Sequence, residues 1–171
     1  SAFLTLERVR QLMSEGLSLE EAKETVQKTS VFTTHTPVPA GNDEFPTWLI
    51  DKYFSIYWPD LGLDREQFMD LARVKTDWSD EVFSMPVLAL RLSDYRNGVS
   101  KLHGEVSRNM WNYLWPNTPA EDVPISYITN GVHTGTWLAR RLGILYSRYL
   151  GADWKNHLDD PAMWEKVENI P

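Results

Sequence analysis

The chain has 171 residues, 42% hydrophobic and 24% charged, which is enough to bury one sizeable core. Seventeen basic residues stand against 24 acidic ones, a formal net charge of −7 without any Lys/Arg block, which argues against nucleic acid and against an anionic membrane as partners. There is no cysteine, which excludes disulfides, thiolate catalysis and cysteine-ligated zinc, and no apolar run approaches the roughly 18–20 residues that span a bilayer.

Phe3, Leu6, Val9 and Met13 recur close to a 3.6-residue period and predict a helix ended by Gly16. Ser18 with Glu21 forms a capping box for a second helix, whose inner face is Leu19, Ala22 and Val26. The β-branched and aromatic run Val31-Phe32-Thr33-Thr34 reads as a strand, and His35 follows it directly. From Thr36 to Asp43 the prolines and a Gly-Asn pair rule out both strand and helix. Pro46 suits the first turn of a helix running to about Tyr57, and Asp64 with Gln67 makes a second capping box, opening a helix through Phe68 and Leu71.

The stretch from Lys75 to Ser84 is polar and broken. After Pro86, the continuous apolar run Val87-Leu88-Ala89-Leu90 predicts a strand covered on both faces. Ser93 to Val99 is loop chemistry, followed by a helix from Ser100 to Trp115 that Pro116 closes. Pro124 to Thr129 reads as a third strand, ending at Asn130-Gly131. A helix carrying Leu138, Leu142, Leu145 and Tyr149 ends at Gly151, and Asp160-Pro161 opens the last one. Strands alternating with helices predict a helix-rich α/β fold built on a parallel sheet. Both ends, Ser1 within a helical pattern and Pro171 without a turn or tail, read as cuts through a longer chain.

His35, Asn97-Gly98 and Asn130-Gly131 each fall at or just beyond the carboxyl end of a predicted strand. In an open parallel sheet those ends share one edge, where ligands bind. A ring nitrogen and two carboxamides there suit hydroxyl groups better than phosphates or cations, which points towards a sugar. Each piece also has a plainer reading. Asn-Gly is first of all a turn dipeptide, and His103, inside a helix, reads as a packed or surface histidine. Asp43-Glu44 is an adjacent acid pair of the kind that is usually just solvated. Most of the eight tryptophans belong in the core. The four histidines lack metal-ligand spacing, and both a serine-hydrolase elbow and a phosphate-binding glycine loop are missing. Spacing alone stops at an α/β piece with a polar cleft at its strand ends.

Three segments go further: Thr33-Thr34-His35-Thr36-Pro37-Val38-Pro39-Ala40-Gly41-Asn42-Asp43-Glu44-Phe45-Pro46, the run from Asn97-Gly98-Val99 through His103-Gly104-Glu105 to Arg108, and Ile128-Thr129-Asn130-Gly131-Val132-His133. In this order and separation the chain resembles the α-glucan (glycogen/maltodextrin) phosphorylases, most closely the short bacterial and archaeal type. The long first motif is the specific one.

That resemblance implies a two-domain glycosyltransferase B fold. Residues 1–137 would form the late part of its Rossmann-like N-terminal domain, and residues 138–171 the first helices beyond it. It implies an enzyme that uses orthophosphate to remove the terminal α-1,4-linked glucose of a glucan as α-glucose 1-phosphate, with pyridoxal phosphate as cofactor, acting as a cytoplasmic homodimer. By the same resemblance His35 and Asn130 bind the 6-hydroxyl of the sugar, with Thr36 and Gly131 beside them. The backbone carbonyl of His35 faces the anomeric carbon. Asn97 and Val99 line the floor near the cofactor, and Thr36 to Phe45 flanks substrate access. No metal is implied. A hydroxyl held by two buried partners is a strong selector, and removing one partner should cost roughly 1–3 kcal/mol of binding. Two departures stand out. The animal enzymes follow the T-N-G motif with I-T-P-R-R-W, whereas this chain reads Val132-His133-Thr134-Gly135-Thr136-Trp137. The cofactor lysine has no counterpart before Pro171, so the isolated chain is expected to be inactive. A glycogen-synthase-like glucosyltransferase and a non-catalytic carbohydrate-binding piece remain the alternatives.

Overall fold

The computed structural model describes residues 1–76 and 79–171. Trp78, and with it part of the stretch read as polar and broken, lies outside the described residues. The chain divides into two compact units, Ser1–Asn130 and Gly131–Pro171.

In the first unit, α1 (Phe3–Ser14) buries Leu6 and Val9, and the chain turns at Gly16 in a left-handed conformation, φ +107°. Next, α2 (Leu19–Lys28) starts with the expected capping box: the Ser18 side chain accepts from the Glu21 amide, and Glu21 accepts from the Ser18 amide. Strand β1 (Val31–Thr33) follows, then a 3-10 turn at Pro39–Gly41 and strand β2 (Glu44–Pro46). Helix α3 (Thr47–Phe54) begins after Pro46, and α4 (Arg65–Asp70) carries the second capping box, Asp64 with Gln67. Strands β3 (Arg73–Thr76) and β4 (Ser79–Ser84) join β2 in an antiparallel sheet of order β2-β4-β3. No strand was expected there, because only Val82 and Phe83 break the polarity of the second half.

The largest correction concerns Val87 to Leu90. They form no strand but a helix, α5 (Met85–Arg91), with Ser84 as its N-cap residue and Pro86 within its first turn. Its flanks explain the continuous apolar run. Leu88 faces a core made with Leu6, Val26, Phe68 and Phe83, while Val87 and Leu90 face a second core with Trp111, Val123 and Ile125. A helix buried all round reads like a strand buried on both faces.

The second correction follows from it. Residues read as loop form β5 (Tyr95–Gly98), which pairs in parallel with β1. Helix α6 (Lys101–Trp111) is capped by Ser100, whose side chain accepts from the His103 amide, and it ends short of the expected Trp115 in a 3-10 turn. Strand β6 (Ser126–Tyr127) completes a parallel sheet of order β1-β5-β6. The fold is thus mixed α/β with a parallel sheet, the third parallel strand being β5 instead of residues 87–90.

The second unit holds α7 (Thr134–Trp137), α8 (Arg140–Tyr149) and α9 (Pro161–Glu165), the last capped by Asp160. Its core is Leu150, Trp154 and Met163, with Tyr146, Trp154 and Trp164 meeting edge to face. Of the seven described tryptophans, Trp111 and Trp154 are buried and Trp58, Trp115 and Trp164 pack against cores; Trp48 and Trp137 are exposed. Among the described residues no helix is long and apolar enough to cross a membrane.

Candidate functional site

The parallel register decides where the motif residues go. Thr33 lies opposite Asn97, and Asn97 opposite Ser126, so all three strands run the same way and leave the sheet together. His35, Val99 and Asn130 therefore emerge along one carboxyl edge. With strands about 4.8 Å apart, β1 and β6 exit roughly 10 Å from each other across β5. Beyond the strands the pairing continues for one more step: the Thr34 amide donates to the Asn97 carbonyl (3.0 Å), the Ile128 amide to that of Gly98 (2.9 Å) and the Asn130 amide to that of Val99 (3.1 Å).

His35 is exposed and lines a cleft of about 660 Å³, together with Thr36, Asn42 and Asp43 of the following loop, Arg8 of α1 and Pro86 of α5. The loop is folded on itself. Thr36 Oγ1 accepts from the Val38 amide (3.1 Å), and Gly41 sits so close that a Cβ there would fall on the Thr36 side chain. Asp43 and Glu44 are both exposed, as adjacent acids usually are. Nearby, the Tyr113 hydroxyl is pushed up to about 12, first by burial and then by the charge of Glu44, which keeps it a neutral phenol.

Asn97 is buried, and its carboxamide has partners on both sides. Oδ1 accepts from Thr33 Oγ1 (3.0 Å), while Nδ2 donates to the Gly98 carbonyl (3.2 Å). It ties β1 to β5 rather than presenting two free groups to solvent. Asn130 is exposed at the same edge, yet neither it, Asn97 nor Val99 lines the cleft that holds His35. Gly131 opens the second unit. The sheet thus brings His35, Val99 and Asn130 to one edge, puts His35 and Thr36 in one cleft and uses Asn97 as a strand tie. Among the described residues no group of three His, Asp or Glu is arranged to hold a metal.

One residue of this edge escaped the reading from sequence. His103 is buried on α6, and its Nδ1 accepts the Val99 amide at 3.2 Å. The signal was present: Ser100-Lys101-Leu102-His103 has capping-box spacing with histidine in place of Glu or Gln, and the ring reaches back one residue further than a glutamate at that position does.

No family model matches the chain. Among curated proteins it is 41% identical over 170 residues to the maltodextrin phosphorylase of Thermococcus litoralis, covering 99% of this chain and 20% of that protein. It is 36% identical to the glycogen phosphorylase of Aquifex aeolicus, covering 99% and 24%, and 37% identical to that of Mycobacterium tuberculosis, covering 99% and 20%. The chain spans about a fifth to a quarter of the length of these relatives.

Proposed function

We infer, from a chain related along its whole length to the α-glucan phosphorylases, that it supplies the 6-hydroxyl side of a glucose pocket in a longer phosphorylase. In the reaction, orthophosphate replaces the glucan at the anomeric carbon of the terminal α-1,4-linked glucose. The bond to the leaving 4-oxygen breaks, that oxygen takes a proton, and α-glucose 1-phosphate is released. His35 from β1 and Asn130 from β6 approach one sugar from either side of β5, a ring nitrogen and a carboxamide sharing one hydroxyl. The His35 carbonyl faces the positive charge that develops at the anomeric carbon, Thr36 borders the sugar, and Thr36 to Phe45 flanks its entry.

Pyridoxal phosphate is the cofactor this reading assigns to the longer protein, where it would supply an acid–base phosphate group beside the substrate phosphate. The residues near it here, Asn97 and Val99, already have partners for the Asn97 carboxamide and the Val99 amide, so this chain offers the cofactor packing rather than ligands. The lysine that holds it belongs to another part of the family's sequence. The reading also takes residues 1–137 as the late part of a Rossmann-like N-terminal domain of a glycosyltransferase B fold and residues 138–171 as the helices that follow. It makes the longer protein a cytoplasmic homodimer acting on α-1,4-glucan and orthophosphate, and this chain by itself inactive.

The observation that supports it best is the register of β1, β5 and β6, which carries three separate motifs to one sheet edge. The test is phosphorolysis by the full-length protein. Maltodextrin in phosphate buffer should yield glucose 1-phosphate, and His35→Ala should lower kcat/KM by about 5- to 150-fold, the equivalent of one lost hydrogen-bond partner. Activity that needs a sugar nucleotide instead refutes the phosphorylase reading.

A further inference from the structure

The Asn130 side chain can grip a hydroxyl only if its backbone is held, and the structure contains a connected set of hydrogen bonds that holds it. The Asn130 amide donates to the Val99 carbonyl (3.1 Å), and the Val99 amide donates to His103 Nδ1 (3.2 Å). His103 is itself locked, since its own amide donates to the Ser100 side chain (3.1 Å) and the residue is only 9% exposed. Close packing brings the ring within reach. A Cβ on Gly98 would lie 2.8 Å from the Gly104 backbone nitrogen, so only glycine lets the end of β5 meet the start of α6.

Val99 also sits where the sheet no longer serves its amide. Its strand neighbour β1 has ended at Thr33, and the chain there turns off through His35 and Pro37. The imidazole supplies the acceptor that the ladder does not. Nδ1 must therefore carry the lone pair and Nε2 the hydrogen; Nε2 is buried and has no partner among the described residues, so no second contact opposes that tautomer.

We propose that His103 is a positioning residue for the glucose pocket, its Nδ1 fixing the Val99 amide and, through the Val99 backbone, the place of Asn130 against the 6-hydroxyl. The proposal rests on the pocket reading above. It differs from a purely structural role in what it requires: an acceptor at the Nδ1 position, not merely a ring of that size.

The experiment uses the full-length protein with His103→Asn, whose Oδ1 occupies the Nδ1 position, and His103→Phe, which keeps the ring and loses the acceptor. His103→Leu replaces the Phe variant if that one does not fold. The readout is the ratio of kcat/KM for α-glucose 1-phosphate to that for its 6-deoxy analogue, measured in glucan synthesis; the ratio is insensitive to how much enzyme is active. Wild type and His103→Asn should discriminate alike, and His103→Phe should lose about tenfold in the ratio. A wild-type ratio in the Phe variant, or equal losses in Asn and Phe, overturns the proposal. Hydrogen-exchange mass spectrometry of the same proteins separates this from a failure of the pocket reading. Exchange should quicken in the peptides covering Val99 and Asn130 in the Phe variant alone, and an unchanged Asn130 peptide overturns the proposal whatever the activity.

Discussion

Replacing Gly98 by alanine should destabilise the fold out of proportion to one methyl group. The added Cβ would meet the Gly104 nitrogen at 2.8 Å, the His103 carbonyl carbon at 3.0 Å and the Gly104 Cα at 3.1 Å. All three are backbone atoms at the start of α6, so no side chain can rotate away and the helix itself must shift. Overpacking of this kind costs about 1–3 kcal/mol. Gly98 is not among the glycines with positive φ, so alanine also narrows the unfolded ensemble, a gain of about 0.4–1 kcal/mol. The net loss is about 1–2 kcal/mol, a fall in Tm of roughly 2–8 °C. Gly131→Ala is the control, because a Cβ there meets nothing within 4 Å and its φ is not positive. Urea unfolding followed by tryptophan fluorescence, with Trp111 on α6 as a reporter, measures both. Equal midpoints for Gly98→Ala and wild type, or a larger loss at Gly131, would refute the close approach of β5 and α6.

Asp64→Ala removes the side chain that accepts from the Gln67 amide at 2.8 Å and should cost about 1 kcal/mol in the same unfolding assay. Leu88→Ala, at a fully buried position of α5, should cost about 2–5 kcal/mol; a loss under 1 kcal/mol would contradict its place in the core with Leu6, Val26, Phe68 and Phe83. Glu7 is held at about 2 by Arg10, chiefly through their hydrogen bonds, which outweigh an opposing desolvation, and then through their charge. Its pKa is depressed on folding, so its contribution is present above the ordinary carboxylate pKa of 4.5 and disappears as pH falls towards 2. A carboxyl-resolved NMR titration checks the value, and Glu7→Gln should flatten the stability profile over that window.

Local chemistry was legible from sequence. Both capping boxes, the helix start at Asp160-Pro161 and the turn at Gly16 need only residues a few positions apart, and each formed as expected. Features that depend on distant neighbours were not. The run from Val87 to Leu90 carries no period because α5 is wedged between two cores, and Pro86 after Ser84 was the helix-start signal that length and apolarity outweighed. Strand β5 contains Asn97 and Gly98, poor strand formers, and is extended because β1 and β6 pair with it on both sides. At the candidate site, His35 and Asn130 were visible as strand-end residues. The Thr33–Asn97 tie and the His103–Val99–Asn130 set need a register that no single segment encodes.

A crystal structure of the full-length protein with glucose bound would test the central claim most directly. The 6-oxygen should lie within about 3.2 Å of both a His35 ring nitrogen and the Asn130 carboxamide. A 6-oxygen held by other side chains, with His35 and Asn130 contacting different ligands or none, would contradict it.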